Sequence, residues 1–490
     1  MVDILLAHSF FLANDAKQQE QMRPYPPLGT LYAASALRVR GDSVALFDAT
    51  FASGAEAFAP VLAQQQPRFV VFFEDTFHFL NKMCLAHARE ATCRMSAMAR
   101  EAGATVLAAG SDVTDHPEVY LEHGVDYALL GEADHTLVEL INALRNESQA
   151  VNEIPGLAFL RDGLQRTATR PPERQPDVFP LPAWDLVDAE SYRRAWMERH
   201  GTFGVNMVTT RGCPFHCNWC AKPIWGQRYA MRSPASVAAE MALLKKELRP
   251  DHLWFADDIF GLQPQWVAEF ADEIEKQDAS IPFRIQSRLD LMTEKAVQGL
   301  ARAGCTAVWL GVESGSQRIL DAMDKGTRVD QVPVVRERLA NAGIQACFFL
   351  QLGYPGETWE DVCLTVELVR QTLPDEIGVS VSYPLPGTRF YEMVRTELGT
   401  KDHWETSDDL AMMFQGTFTT PFYRRLHKLI HRDLAAHKNG KNVKSGTSDT
   451  LAREWEALAK LAAESQSPTP THIEKNYPSP AAPDLSRPWN

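Results

Sequence analysis

Along the first 145 residues, short runs of consecutive apolar residues alternate with longer stretches whose apolar positions recur at helical spacing. The runs are DILLA (3–7), SVALFD (43–48), RFVVFF (68–73), TVLAAG (105–110) and YALL (127–130). Helical patterns near 29–40, 55–66, 82–103, 117–123 and 136–144 fill the gaps. Near-continuous apolar runs are the mark of strands buried on both faces, and strands separated by helices imply a parallel sheet.

Five such strands predict an α/β unit of the flavodoxin-like, doubly wound kind over 1–145, with ligands beyond the carboxyl ends of the strands. Residues 146–200 lose the rhythm and carry the proline-rich stretch RPPERQPDVFPLPAW (170–184), which reads as a linker or strap. A second series follows in GVNMVTT (204–210), HLWFAD (252–257), PFRIQS (282–287), AVWLGVE (307–313), QACFFLQLG (345–353) and EIGVSVSYP (376–384). Six strand–helix units over 201–400 predict a partial (β/α)6 barrel of the TIM type, open on one side, rather than a closed eight-unit one. A capping segment is expected over 401–440 and a disordered, proline- and serine-rich tail over 441–490.

Composition narrows the class without naming the chemistry. Of 490 residues, 45% are hydrophobic and 23% charged, which is the balance of an ordinary globular protein. The net charge of −14 disfavours a nucleic-acid partner. No apolar run approaches the roughly 18 residues of a spanning helix, and MVDILLAHSF resembles no leader peptide. Eight cysteines, three of them within eight positions, do not form a disulfide framework, so a cytoplasmic, reducing location is expected.

Those three are Cys213, Cys217 and Cys220 in TTRGCPFHCNWCAKP, just after the first strand of the second series, where barrel chemistry resides. Thiolates are natural ligands of iron–sulfur iron, and three of them leave one iron of a 4Fe-4S cluster open to an external ligand. A zinc knuckle is the alternative. It needs a fourth ligand, and His216, inside a tight loop, is poorly placed to be one.

The CxxxCx-aromatic-C pattern at the first strand of a six-unit barrel resembles the radical S-adenosylmethionine (SAM) superfamily. The resemblance implies that SAM is chelated by the open iron and that Trp219 packs against the adenine. It places Asp257 and Asp258 of FADD in the segment that receives the methionine ammonium. It also assigns Ser287 and Arg288 of IQSRLD to the methionine carboxylate, and Glu313 of LGVESGS to the ribose.

Two groups of such enzymes carry a flavodoxin-like unit in front. Methylthiotransferases need three further cysteines there, and this unit has only Cys84 and Cys93. PPLGTLYAASALRVRGDSVALFDA (26–49), AAGSDVTDHPE (108–118) and VDYALLGEADHTLVEL (125–140) resemble instead the cobalamin-binding group, over roughly 400 residues. Gly110, Ser111 and Asp112, with Gly131 and Glu132, then lie at strand ends where glycine lets the backbone approach a flat macrocycle. No DxHxxG sequence occurs, so the resemblance implies base-off cobalamin facing the loop after the third strand, with Glu74, Asp75 and Thr76 as candidates. His8 is expected to be a loop residue rather than an axial ligand.

The resemblance implies methyl transfer to an unactivated carbon centre through a 5′-deoxyadenosyl radical and methylcobalamin. An oxidative cyclase or ring-rearranging enzyme is the alternative, and a sensor without turnover a third. The expected partners are a small-molecule or lipid-like substrate and a reducing donor such as flavodoxin or ferredoxin. YPLPGT (383–388) and the Tyr354-Pro355-Gly356-Glu357 turn are expected to shape the cavity. Trp404, Met412, Met413, Phe414 and Phe418 suggest a lid, docked through Leu426, Leu429, Ile430 and Leu434 of a following helix. Arg424, Arg425, Lys428 and Arg432 read as that helix's solvated face.

Overall fold

The computed structural model describes residues 2–78, 85–146, 149–220, 224–399, 403–406, 410–438 and 445–465. Strands β1 (Ile4–Ala7), β2 (Val44–Phe47), β3 (Phe69–Phe73), β4 (Thr105–Ala109) and β5 (Tyr127–Leu129) form a parallel sheet in the order β2-β1-β3-β4-β5. Successive side chains point to opposite faces, and both faces are apolar. Ile4, Leu6, Phe69 and Val71 pack against Leu37, Leu137 and Ile141 of the helices Leu28–Arg38 and Asp134–Arg145. Leu5, Ala7, Val70 and Phe72 pack on the other side against Phe58, Leu62 and Met95 of Phe58–Gln65 and Ala86–Glu101. This is the doubly wound unit that the spacing predicts.

Residues 146–200 correct the linker reading. β6 (Leu157–Leu160) and β7 (Leu164–Arg166) form a hairpin that joins β5 in antiparallel sense and extends the sheet to seven strands. Asp162 and Gly163 turn it with positive φ. β7 is exposed along its whole length, so no apolar alternation betrays it in the sequence. The proline stretch then runs as a strap, burying Phe179 and Trp184.

β8 (Gly204–Met207) leads into a short antiparallel pair, β9 (Thr210–Arg211) and β10 (Ala230–Met231), which brackets the cysteine loop. β11 (His252–Phe255), β12 (Phe283–Ser287), β13 (Cys305–Glu313), β14 (Gln345–Leu352) and β15 (Glu376–Val381) follow β8 in spatial as in chain order, all parallel. β8 and β15 are the edges of an open partial barrel.

The helix Thr420–Lys438 buries Leu426, Leu429, Ile430 and Leu434 and exposes Arg424, Arg425, Lys428 and Arg432, as its periodicity predicts. Its Asp433 accepts a buried bond from Arg370 Nε at 2.9 Å, tying it to the helix Trp359–Thr372. The tail reading is corrected over Ser445–Ser465, which is a helix packed on Thr420–Lys438. Leu451, Trp455, Leu458 and Ala462 are buried at spacings of three and four residues, the period of a helix face. Residues 441–444 and 466–490, also expected to be tail, lie outside the described residues, as do Cys84 and the end of the loop after β3.

Candidate active site at the cysteine loop

The cysteine loop is held at its base and at its middle. Gly212, at φ +80°, stands where a Cβ would lie 2.3 Å from the Arg228 carbonyl oxygen across the bracket, so only glycine fits before Cys213. Asn218 donates from its backbone to the Met323 carbonyl at 3.0 Å and from Nδ2 to the Ala322 carbonyl at 2.7 Å. Tyr354 donates to Asn218 Oδ1 at 3.0 Å. Tyr354 is therefore a buried anchor of the loop rather than the cavity wall expected for it. Cys213, Cys217 and Cys220 are half-buried thiols. A surface depression of about 470 Å³ runs past Cys217 and Cys220.

Arg288 is buried beside them. Its Nη1 lies 3.7 Å from Cys217 Sγ, its guanidinium sits 3.8 Å from the Phe215 ring centre, and Asp290 accepts from its Nε at 2.9 Å. This donor set, three reachable sulfurs with a fixed positive charge, fits a cluster. His216 is solvent-exposed on the loop.

Glu313 stands at the end of β13, at φ +63°, beside a register shift in the β13–β14 ladder. Its Oε1 accepts from Lys325 Nζ at 2.7 Å, and both residues are buried. Lys325 lies 5.9 Å from the ring centre of Trp219, whose Nε1 is buried with no partner. An orphaned indole donor beside a carboxylate and two cations is what a site shaped for a polar ligand looks like.

Two expected SAM contacts are engaged elsewhere. Asp257 accepts from the backbone of Thr209 and Thr210, both at 2.7 Å, and from Thr209 Oγ1 at 2.7 Å. Burial pushes its carboxyl up to about 6 against those donors. Its work is to fix the chain entering the cysteine loop. The carbonyl of Asp257 accepts from Gln286, Ser287 donates to the Phe260 carbonyl at 2.8 Å, and Asp258 is half-buried.

At the first sheet, Thr76, Gly110, Gly131 and Glu132 do converge on one cleft, together with Phe77, Arg211 and Trp225. A Cβ on Gly110 would lie 2.8 Å from that of Glu74, and Ser111 Oγ is buried without a partner. A glycine floor and an orphan hydroxyl fit a closely approaching ligand. Phe77 and Trp225, stacked with ring centres 5.2 Å apart, narrow the cleft to about 10 Å³, room for one water.

The acids expected there are taken up by the protein. Asp112 pairs with Arg89, Oδ1 to Nη2 at 2.5 Å, and accepts from Tyr120 at 2.6 Å. Against its burial, His403, whose Nε2 lies 3.6 Å from Oδ1, together with Arg89 and Tyr120 holds its carboxyl well below the usual range. Glu132 and Asp134 hold the buried Arg211 at 2.5 and 2.9 Å. Asp75 caps the helix Leu28–Arg38 by accepting from Leu28 and Gly29, at 3.2 and 3.0 Å, and burial raises Glu74. His8 lies in the loop after β1 and is buried there. The backbone amides of Phe10 and Ala49 and the Asp48 carboxylate meet its ring.

Sequence reasoning missed Arg211 and Lys325. Arg211 is two residues before Cys213, a usable hint, but nothing local marks Lys325, which folding alone brings to Glu313.

Residues 207–369 match the family model of the Radical SAM superfamily. The parallel barrel with its bracketed cysteine loop is therefore a radical SAM domain, placed behind a doubly wound unit. Among curated proteins, the chain is 29% identical to an uncharacterized methyltransferase of Pyrococcus horikoshii, over 59% of this chain and 62% of the relative. It is 27% identical to the anaerobic magnesium-protoporphyrin IX monomethyl ester cyclase of Rubrivivax gelatinosus, over 61% of this chain and 53% of that one. The matches thus span about half to three fifths of these relatives. In fold it is similar to the cobalamin-dependent SAM radical enzyme OxsB, with TM-score 0.68 and 15% identity over 94% of this chain and 71% of that one. It is also similar to the radical SAM methyltransferase TsrM of Kitasatospora setae, with TM-score 0.64 and 20% identity over 81% and 77%.

Proposed function

We propose that this chain is a cobalamin-dependent radical SAM methyltransferase acting on an unactivated carbon of a small or lipid-like substrate. The observation that carries the reading is Arg211. It leaves the cysteine loop and is buried between Glu132 and Asp134 at the strand ends of the first sheet. Two sites whose residues suit two cofactors are thereby built against one another, as a reaction using both requires.

In this reading Cys213, Cys217 and Cys220 hold the 4Fe-4S cluster, and Arg288, Glu313, Trp219, Ser287 and Asp258 surround SAM, with Asp257 holding the loop. Thr76, Gly110, Ser111 and Gly131 line the cobalamin face, Asp112 and Glu132 acting through their ion pairs. When bound, the cluster supplies the electron that splits the sulfonium of SAM, and cobalamin carries the methyl group. Trp404, Met413, Phe414 and Phe418 are buried between the barrel end and the rest of the chain, which suits the capping role read for 401–440. No helix among the described residues is long and apolar enough to cross a membrane, and the reading places the enzyme in the cytoplasm with flavodoxin or ferredoxin as donor.

The test is turnover with methyl-deuterated SAM and a metabolite extract. Labelled product, 5′-deoxyadenosine and S-adenosylhomocysteine should appear together. The similarity to the cyclase favours one other reading, oxidative ring closure. Unlabelled product formed with 5′-deoxyadenosine would establish it instead.

A further inference from the structure

Lys325 belongs to no motif, yet it is placed more deliberately than several residues that do. It follows the short helix Gln317–Ala322 on the turn whose Ala322 and Met323 carbonyls anchor Asn218, between two of the three cysteines. The turn therefore fixes Lys325 to the cysteine loop. Its ammonium is buried, which is costly unless the charge is well paired. The groups facing it are Glu313, Cys217, Arg288 and the Trp219 ring. It donates to Glu313 Oε1 at 2.7 Å.

Room for this pair is made by Gly311. A Cβ there would lie 2.6 Å from Lys325 Nζ and 2.8 Å from Glu313 Oε1. Gly311 has no positive φ, so its smallness is needed for space and not for backbone conformation. Glu313, by contrast, holds a left-handed conformation that is strained for a non-glycine residue. Strain at Glu313, a glycine two residues before it on β13 and a buried ammonium bonded to it all serve to aim one carboxylate.

We propose that Lys325 is a positioning residue that aims Glu313 at the nucleoside part of SAM and adds a second cation, beside Arg288, next to the cluster thiolates. The inference rests on the cluster and SAM assignment above. A cation beside the cluster stabilises its reduced form, so the ammonium raises the reduction potential; the same ammonium holds the Glu313 carboxylate oriented to accept from hydroxyl donors.

The full-length, anaerobically reconstituted protein tests this with three variants, Lys325→Met, Lys325→Arg and Gly311→Ala. In the parent, four irons per chain and a SAM-dependent change in the electron-spin spectrum of the reduced cluster must be present. Their absence would remove the underlying assignment and not this inference alone. Given them, Lys325→Met should keep its iron, bind SAM roughly tenfold more weakly, the scale of one charge-assisted hydrogen bond, and show a more negative midpoint potential. Lys325→Arg should restore much of both. Gly311→Ala, whose methyl displaces the pair without removing a charge, should weaken SAM binding with little change in potential, and it keeps the test alive if Lys325→Met does not fold. SAM affinity within twofold of the parent in Lys325→Met or, failing that variant, in Gly311→Ala overturns the proposal. So does an arginine variant no better than the methionine one.

Discussion

The cysteine loop and the strand ends of the first sheet differ in how ready they are. At the loop, three half-buried thiols stand beside a surface depression, with Arg288, Glu313, Lys325 and Trp219 already in place. At the first sheet, Phe77 and Trp225 close the cleft, and Asp112, Glu132 and Asp75 are engaged with Arg89, Arg211 and a helix terminus. Short-range spacing can build a metal-ligand set, because the ligands lie within one loop. A site for a large flat group is assembled from many strand ends, and its acids satisfy one another where no ligand does. The same contrast explains why the three cysteines lie grouped on one loop while the acids are engaged in structural ion pairs.

The largest effect that would sharpen this contrast is replacement of Cys213, Cys217 and Cys220 together by alanine. Iron content and 5′-deoxyadenosine formation should both fall to background while cobalamin binding persists; iron unchanged from the parent would place the cluster elsewhere. Next is Arg211→Met, which removes the charge joining the two regions and leaves Glu132 and Asp134 buried and unpaired. Breaking a buried ion pair on one side costs about 3–5 kcal/mol, and the melting temperature should drop accordingly. Adding Glu132→Gln and Asp134→Asn should recover part of the loss, and no recovery would mean that the three do not act as a unit.

The smallest effect concerns Glu357, in the turn after β14 that also carries Tyr354. It is fully buried, accepts from the Gly353 backbone at 2.6 Å, and leaves Oε1 without a partner. Burial pushes its carboxyl up to about 8 from an ordinary 4.5. Because the folded form holds the proton more tightly than the unfolded one, this group's contribution is fully present below the ordinary value and is lost as pH rises toward 8. The loss is at most about 1.4 kcal/mol per pH unit. Glu357→Gln keeps the acceptor and should flatten the dependence of melting temperature on pH between 5 and 8, and a slope equal to the parent's would assign that dependence to other groups.

Eleven of the fifteen strands follow from runs that are apolar over four to nine residues, since burial on two faces leaves a direct imprint on composition. In the hairpin β6–β7, the second strand left none, being short and exposed, and the apolar run LAFL of β6 fell within the segment read as a linker. The helix Ser445–Ser465 carries a readable stripe in Leu451, Trp455, Leu458 and Ala462, but the proline-rich residues after it masked that stripe within the segment read as a tail.

By itself the sequence determined the two α/β series, their order, and the thiolate triplet, because strand burial, helix periodicity and ligand spacing are local properties of the chain. Only the tertiary structure decided which charged residues face a ligand and which face each other. Lys325 meets Glu313 across 12 positions, Arg211 meets Glu132 across 79, and Arg89 meets Asp112 across 23. A buried charge is stable only with a partner, and the partner's place along the chain is set by how sheets and loops stack, which no local pattern records.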